Sequence, residues 1–256
     1  MNEAVLAQRG IVVATMPGSL PMGGLVDDTP IHALQPGLAL QPRPELRPRR
    51  DDIELGGLLA FTIGDVVAPD EADAIAGAAG SLGYREAAPG IRTAPGMRMN
   101  KSVHWVADER LLGPIHARIA ALLPQALDGP RLHGRLSHRL NMYRYDRGDV
   151  FNRHTDGDWP GYGLDASGRR MVEWPSPLRS MLTMLLYLNG PEDGVEGGHT
   201  QLFRPDGRIV DVVPRKGSAL LFRHGFGPGS VLHVGARVTG DVAKIVARIN
   251  VMYEPA

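Results

Sequence analysis

The chain predicts an α+β fold that is mainly β: a double-sheet jelly roll with N-terminal support helices on one sheet. Three observations carry this expectation. The C-terminal half breaks into short apolar runs separated by Gly-rich turns, the pattern of an all-β domain. Two helical patterns precede those runs and suit a support layer on one sheet face. The 256 residues, 43% of them hydrophobic, are enough for one sizeable core.

Residues 1–50 read as a Pro-rich N-terminal arm, with Pro17, Pro21, Pro30, Pro36, Pro42, Pro44 and Pro48 removing backbone donors. A short strand is expected at Gly10–Thr15, and the arm either stays loose or wraps the core or a partner. The Arg47–Asp52 charge cluster marks the start of a single domain over 51–256. Within it, 51–130 is a helical support region and 131–256 a jelly-roll core. Leu58–Ile63 reads as a strand. Pro69–Ala79 reads as a helix, because a first-turn proline followed by acids suits a helix N-terminus. A polar, Gly- and Pro-rich loop is expected from Tyr84 to about Asn100. A second helix is expected over Asp108–Leu123, where Leu111, Leu112, Ile115, Ile119 and Leu122 fall at helical spacing before Pro124 stops it. Strands are expected over 134–145, 149–154, 179–189, 199–203, 207–213, 218–224, 231–234 and 243–253. The connection from Gly157 to Leu178 is long, and it carries Trp159, Tyr162 and Trp174.

Charge balances at 28 basic and 28 acidic residues with no basic run, which argues against nucleic-acid or membrane binding through net charge. Cysteine is absent, which excludes disulfides, thiolate metal ligands and Cys nucleophiles and suits a cytoplasmic setting. No apolar stretch approaches the ~18 residues of a membrane span. Met1–Val5 lacks the basic start of a signal peptide, so none is expected.

The chemistry-bearing stretch is Asn141–Asp156. It reads as a strand, a turn at Gly148 and a second strand ending in His154-x-Asp156. Residues two apart on a strand share a face, so the imidazole and the carboxylate point the same way. Together they are two thirds of a 2-His-1-carboxylate set suited to non-haem Fe(II). Two solvated strand-end residues would look the same in isolation. A second histidine, His233, ends the strand-like Ser230–His233. In the final strand Lys244, Val246, Arg248, Asn250 and Met252 share one face, and Ile245, Ala247, Ile249, Val251 and Tyr253 the other. A buried cation on the first face needs an anion beside it. An edge strand with a solvated face would need none.

Tyr145, His154-x-Asp156, Thr183–Asn189, Glu196-Gly-Gly-His-Thr200, Pro214–Phe222, His233 and Lys244–Tyr253 occur in an order that resembles the prolyl 4-hydroxylase-type Fe(II)/2-oxoglutarate dioxygenases. The resemblance covers about residues 135–253. It implies a double-stranded β-helix with iron held by His154, Asp156 and His233. It further implies that Lys244 takes the distal carboxylate of 2-oxoglutarate, with Tyr145 and Thr183 as hydroxyl partners. Lys244 lies eleven residues after His233, where the family more often has ten, so Arg248 is the alternative holder. The implied reaction consumes O2 and 2-oxoglutarate, releases succinate and CO2, and hydroxylates an unactivated C–H bond. Ascorbate is a possible helper. A carboxylate at Asp156 favours hydroxylation, since Ala or Gly there would open a place for halide.

Substrate residues are sought in loops. Arg98, Asn100, Trp159 and Trp174 are the candidates, Arg98 for a substrate carboxylate. An ordinary exposed arginine and loop-anchoring tryptophans are the alternatives. The reading is a hydroxylase of an amino-acid-like substrate, free or in a peptide natural product. Its rivals are a protein prolyl hydroxylase, a cupin-like Zn or Mn hydrolase or isomerase, and a non-catalytic barrel.

Overall fold

The computed structural model describes residues 8–17, 28–86 and 96–255. Among the described residues, sixteen strands and two α-helices follow one another. The first half holds β1 (Arg9–Met16), β2 (Thr29–Gln35), β3 (Arg49–Asp52), β4 (Ala60–Gly64), α1 (Pro69–Leu82), β5 (Lys101–Val106) and α2 (Glu109–Ile119). Next come β6 (Arg131–Leu136), β7 (Arg139–Tyr145), β8 (Phe151–His154), β9 (Tyr162–Leu164) and β10 (Met171–Glu173). The last are β11 (Arg179–Tyr187), β12 (Thr200–Phe203), β13 (Ile209–Val212), β14 (Ala219–Arg223), β15 (His233–Gly235) and β16 (Lys244–Glu254). The mainly-β jelly roll with helices on one sheet is therefore the observed architecture.

The large sheet runs β1-β2-β5-β7-β16-β11-β14-β4-β3, with β6 also paired to β16, and the small sheet runs β13-β12-β15-β8. Strand alternation sorts the side chains into two layers. On the outer face of the large sheet, Trp105, Met142, Met184, Ile249 and Val251 pack with Ile75 of α1 and Leu111, Leu112 and Ile115 of α2. On the inner face, Tyr143, Tyr145, Leu185, Tyr187 and Val246 meet Leu202 and Val212 of the small sheet. The functional residues stand on this inner face.

Both helices form for the reasons the residues suggest. Pro69 opens α1, and the Glu71 side chain accepts the Ala68 N–H at 2.9 Å. Asp108 caps α2 by accepting from Arg110 N at 3.0 Å. Its Leu111/Leu112/Ile115/Ile119 stripe is buried. α2 stops earlier than expected, at Ile119, and continues as a 3-10 turn over Ala120–Leu122.

Three differences matter for the site. The described part of the supposed loose arm supplies β1 and β2, and β2 pairs in parallel with β5, so residues 9–16 and 29–35 belong to the large sheet. Strand β5 lies directly after the expected loop, where no strand was foreseen. The run over 134–145 is two strands, β6 and β7, parted at Ser137 and His138. Part of the Tyr84–Asn100 loop lies outside the described residues. Among the described residues, no helix is long and apolar enough to cross a membrane.

Candidate metal centre

β8 and β15 are adjacent strands of the small sheet, and His154 stands opposite His233 in their register. Asp156 follows two residues after His154. His154 Nε2 lies 3.7 Å from Asp156 Oδ1, and His233 Nε2 lies 4.0 Å from Asp156 Oδ2. One ligand atom from each of the three residues falls within 4.8 Å of the others, a spacing that can hold a metal ion.

The surroundings prepare these groups for a cation. His154 Nδ1 bonds Asn152 O at 2.7 Å, and His233 Nδ1 bonds Val231 O at 3.1 Å. A carbonyl only accepts, so both protons sit on Nδ1 and both Nε2 lone pairs face the cluster, the tautomer a metal requires. Burial, then the neighbouring His233, lowers the His154 pKa to about 4, and burial lowers that of His233 as well. Burial opposes ionisation of Asp156, but Arg248 and the two histidines override it and hold the carboxyl well below the usual carboxylate range. Two neutral imidazoles and one carboxylate form a site for a divalent metal.

Behind Asp156 runs a chain of hydrogen bonds that the sequence did not reveal. Trp159 N donates to Ser180 Oγ at 2.9 Å, and Ser180 Oγ lies 2.9 Å from His224 Nε2. His224 Nδ1 is 2.8 Å from Thr183 Oγ1, which donates to Asp156 Oδ2 at 2.7 Å. The Thr183 proton is committed to Asp156, so its oxygen accepts from His224 Nδ1–H. His224 Nε2 then accepts from Ser180. All four bonds point the same way, from the Trp159 loop to the metal carboxylate.

Lys244 opens β16 opposite Tyr145 of β7 and is buried. The longer connection after His233 is thus absorbed before the strand starts. Its Nζ donates to Gly198 O at 2.6 Å and lies 5.3 and 5.4 Å from the Tyr145 and Tyr187 ring centres. Gly198, at φ +65°, leaves room where a Cβ would approach Lys244 Cδ to 3.1 Å. Burial lowers the Lys244 pKa to about 7. The hydroxyls of Tyr187 and Thr200 are 2.8 Å apart beside it. Lys244, Thr200, His154, Asp156 and His233 line one small cavity of about 30 Å³. A buried lysine amine that makes no ion pair among the described residues, in the same cavity as the His154/Asp156/His233 cluster, fits an anionic metal-chelating cosubstrate in charge.

The other nominated residues take several places. Thr183 bonds Asp156 rather than lining the Lys244 cavity; both positions face inward, and only the strand register distinguishes them. Arg248 places Nε 3.0 Å from Asp156 Oδ2. Arg98 is buried rather than exposed, donates to Asn100 Oδ1 at 3.0 Å, and stacks over Tyr143 and Phe151 at 4.6 and 5.0 Å. Trp159 lines a second, larger cavity beyond Arg248. Trp174 does not line it. Trp174 packs on His138, Arg135 and the backbone at Gly161 and Gly163, and so anchors the loop.

Residues 140–252 match the 2OG-Fe(II) oxygenase superfamily. No curated protein matches the chain. Among solved structures, a viral collagen prolyl hydroxylase from Paramecium Bursaria Chlorella virus-1 in complex with 2OG is similar, at TM-score 0.51 and 18% identity over 80% of this chain and 100% of that one. A prolyl hydroxylase from Trichoplax adhaerens in complex with a hypoxia inducible factor peptide fragment gives 0.51 and 15% over 76% and 82%. A Pseudomonas putida prolyl-4-hydroxylase gives 0.50 and 16% over 79% and 94%. At these identities the likeness is one of fold.

Proposed function

We propose, for a chain whose residues 140–252 belong to the 2OG-Fe(II) oxygenase superfamily, that the enzyme hydroxylates a C–H bond of an amino-acid-like substrate. The observation that carries the reading is the His154/Asp156/His233 cluster with buried Lys244 in the same cavity. His154, Asp156 and His233 would hold the iron, which would supply the coupling of O2 reduction to decarboxylation of 2-oxoglutarate, with succinate and CO2 as coproducts.

The protein positions and shields. Lys244 offers a point charge to the distal carboxylate, and Tyr145 and Thr200 flank it in the cavity wall. Thr183 and His224 fix the rotamer of Asp156. Arg248 compensates the Asp156 charge and stands between the metal cluster and the larger cavity. Arg98, held by Asn100 over Tyr143 and Phe151, braces the wall. The larger cavity, of about 350 Å³, has the size of a small-molecule site, which favours a free or small substrate over a folded protein.

The test is succinate formation from 2-oxoglutarate with Fe(II), O2 and ascorbate, across a panel of free amino acids and a proline-rich peptide. Mass gain of one oxygen on a free amino acid supports the reading. Gain on the peptide alone makes the protein a peptidyl hydroxylase. His154→Ala and Asp156→Ala are each expected to abolish iron loading and turnover. No succinate from any member, with iron bound, overturns the reading and favours a metal-dependent hydrolase or isomerase.

A further inference from the structure

The larger cavity holds an unusual concentration of unmet polar groups. Arg139 Nε, Arg248 Nη2, His104 Nε2 and Asn250 Oδ1 are buried without a hydrogen-bond partner among the described residues, and all four side chains line this one space, while Arg248 Nε is taken by Asp156. Burial without a partner costs free energy, so such groups together mark a place where a ligand completes them. The register explains the convergence. His104, Asn141 and Arg248 are direct neighbours across β5, β7 and β16, with Arg139 and Asn250 one step along on the same inner face.

The atoms divide into two kinds. Arg139 and Arg248 can only donate, and their guanidiniums match a carboxylate in shape and charge. Arg139 forms no ion pair among the described residues; its Nη2 is 2.8 Å from the weak acceptor Met16 Sδ. The cavity lining contains no Asp or Glu; Asp156 meets Arg248 from the metal side, which leaves Arg139 as the cation of this cavity without a carboxylate partner among the described residues. His104 and Asn250 present acceptors. His104 Nδ1 bonds Asn141 Oδ1 at 2.8 Å, which places the proton on Nδ1 and leaves Nε2 as a bare lone pair. Burial lowers the His104 pKa to about 3, which keeps it that way at neutral pH. Two cationic donors beside two neutral acceptors are complementary to a carboxylate and an N–H donor carried close together. Trp159 and Tyr162 supply an aromatic wall for an apolar body. Tyr143 and Arg248 line both this cavity and the metal cavity, so a ligand seated here adjoins the metal cluster.

We propose that this cavity seats the α-amino carboxylate head group of the substrate, which is a free amino acid with an apolar side chain. The carboxylate lies between Arg139 and Arg248, and the amine faces His104 Nε2 and Asn250 Oδ1. The inference rests on the oxygenase reading and narrows it, because an internal residue of a polypeptide carries no free carboxylate. It moves the carboxylate role considered for Arg98 to Arg139 and Arg248.

The test uses the full chain loaded with Ni(II) and saturating 2-oxoglutarate, so that the Lys244 cavity is filled and no turnover occurs. Binding of L-leucine, L-isoleucine, L-valine, L-proline and L-phenylalanine is measured by calorimetry, together with their carboxamides and N-acetyl derivatives. At least one free acid is expected to bind about 30-fold or more tightly than its carboxamide and several-fold more tightly than its N-acetyl form. Arg139→Gln is expected to erase the acid-over-amide ratio while leaving 2-oxoglutarate affinity within about twofold, and Arg139→Lys to restore part of the ratio. Thermal unfolding of both variants checks that the fold survives. A carboxamide that binds as well as its acid, a ratio that persists in Arg139→Gln, or no binding by any member overturns the seat. Failure of 2-oxoglutarate to bind, or of succinate to form, instead overturns the oxygenase reading, whatever the amino acids do.

Discussion

At the scale of single residues, Lys244 shows how a site stores a cost that its ligand removes. Its folded pKa of about 7 lies below the ordinary lysine value of 10.5, because burial disfavours the ammonium. Between about pH 7 and 10.5 the unfolded chain holds a proton that the folded one has released, so stability rises with pH across that window. Below it both states are charged and the folded state carries the full penalty. Lys244→Met is therefore expected to stabilise the cosubstrate-free protein at pH 7, with the gain shrinking toward pH 10, as read from denaturant unfolding at both pH values. The same variant is expected to weaken 2-oxoglutarate binding on the order of 100-fold, equivalent to about 3 kcal/mol. Normal 2-oxoglutarate affinity in a folded Lys244→Met would move the carboxylate role to Arg248. His224 acts at one remove. It touches none of the metal-facing atoms, yet it donates to the threonine that orients Asp156. Outer partners of metal ligands are typically worth about 10–100-fold in affinity. His224→Phe is expected to lower metal affinity by that order in a chelator competition. An unchanged metal affinity would reduce His224 to packing.

At the scale of elements, the helices serve the site by holding the outer face of the large sheet. They are tied to each other by an ion pair that is itself buried. Arg118 of α2 reaches Glu71 of α1 through two contacts, Nη1–Oε2 at 2.7 Å and Nη2–Oε1 at 2.9 Å. Glu71 is 4% exposed, and the same carboxylate caps the start of α1 at Ala68 N. Arg118 also donates to Val66 O and Gln41 O, which joins the helix pair to the segment leading out of β2. Breaking a buried pair on one side costs about 3–5 kcal/mol, and Arg43 Nε, 3.7 Å from Glu71 Oε1, offsets part of the charge left behind, which points to the lower end of that range. Arg118→Met is expected to lose stability of that order in urea unfolding, with turnover per folded molecule unchanged. A loss below about 1 kcal/mol would mean that water reaches Glu71 in the variant. The pair was invisible in the sequence, since residues 71 and 118 lie on different helices and nothing local links them. The helices themselves were legible, from Pro69 and its acids and from the Leu111–Ile119 stripe.

At the scale of the whole molecule, what could be read depended on how local the signal was. His154-x-Asp156 was legible because two residues on one strand share a face whatever the tertiary fold. The Lys244/Arg248/Asn250 face of β16 was legible for the same reason. The larger cavity was not. It is assembled from β1, β5, β7, β16 and the loop after Asp156, and only the parallel β2–β5 pairing and the registers across the sheet bring these together. β2 and β5 are short, and each interleaves three apolar residues with histidine and with proline or serine, too brief a pattern to announce a strand. This assembly concentrates buried neutral histidines in one region, and that has a consequence for acid stability. The pKa is lowered to about 3 at His104, about 4 at His154 and about 4 at His224, in each case mainly by burial, and His233 is lowered for the same reason. Their unfolded value is 6.5. Below pH 6.5 the unfolded chain takes up protons that the folded chain refuses, so stability falls as pH falls toward the folded values. Each histidine contributes a slope approaching about 1.4 kcal/mol per pH unit once the unfolded form is protonated. Several acting together are expected to make the metal-free protein lose stability steeply between pH 6 and pH 4, with uptake of more than one proton on unfolding at pH 5. Bound metal is expected to deepen the dependence, because only the neutral imidazoles coordinate. Urea unfolding at stepped pH, with and without Ni(II), measures both. Stability that stays flat from pH 6.5 to pH 5 would show that these imidazoles accept protons in the folded state, and with it that the inner face is wetter than its packing indicates.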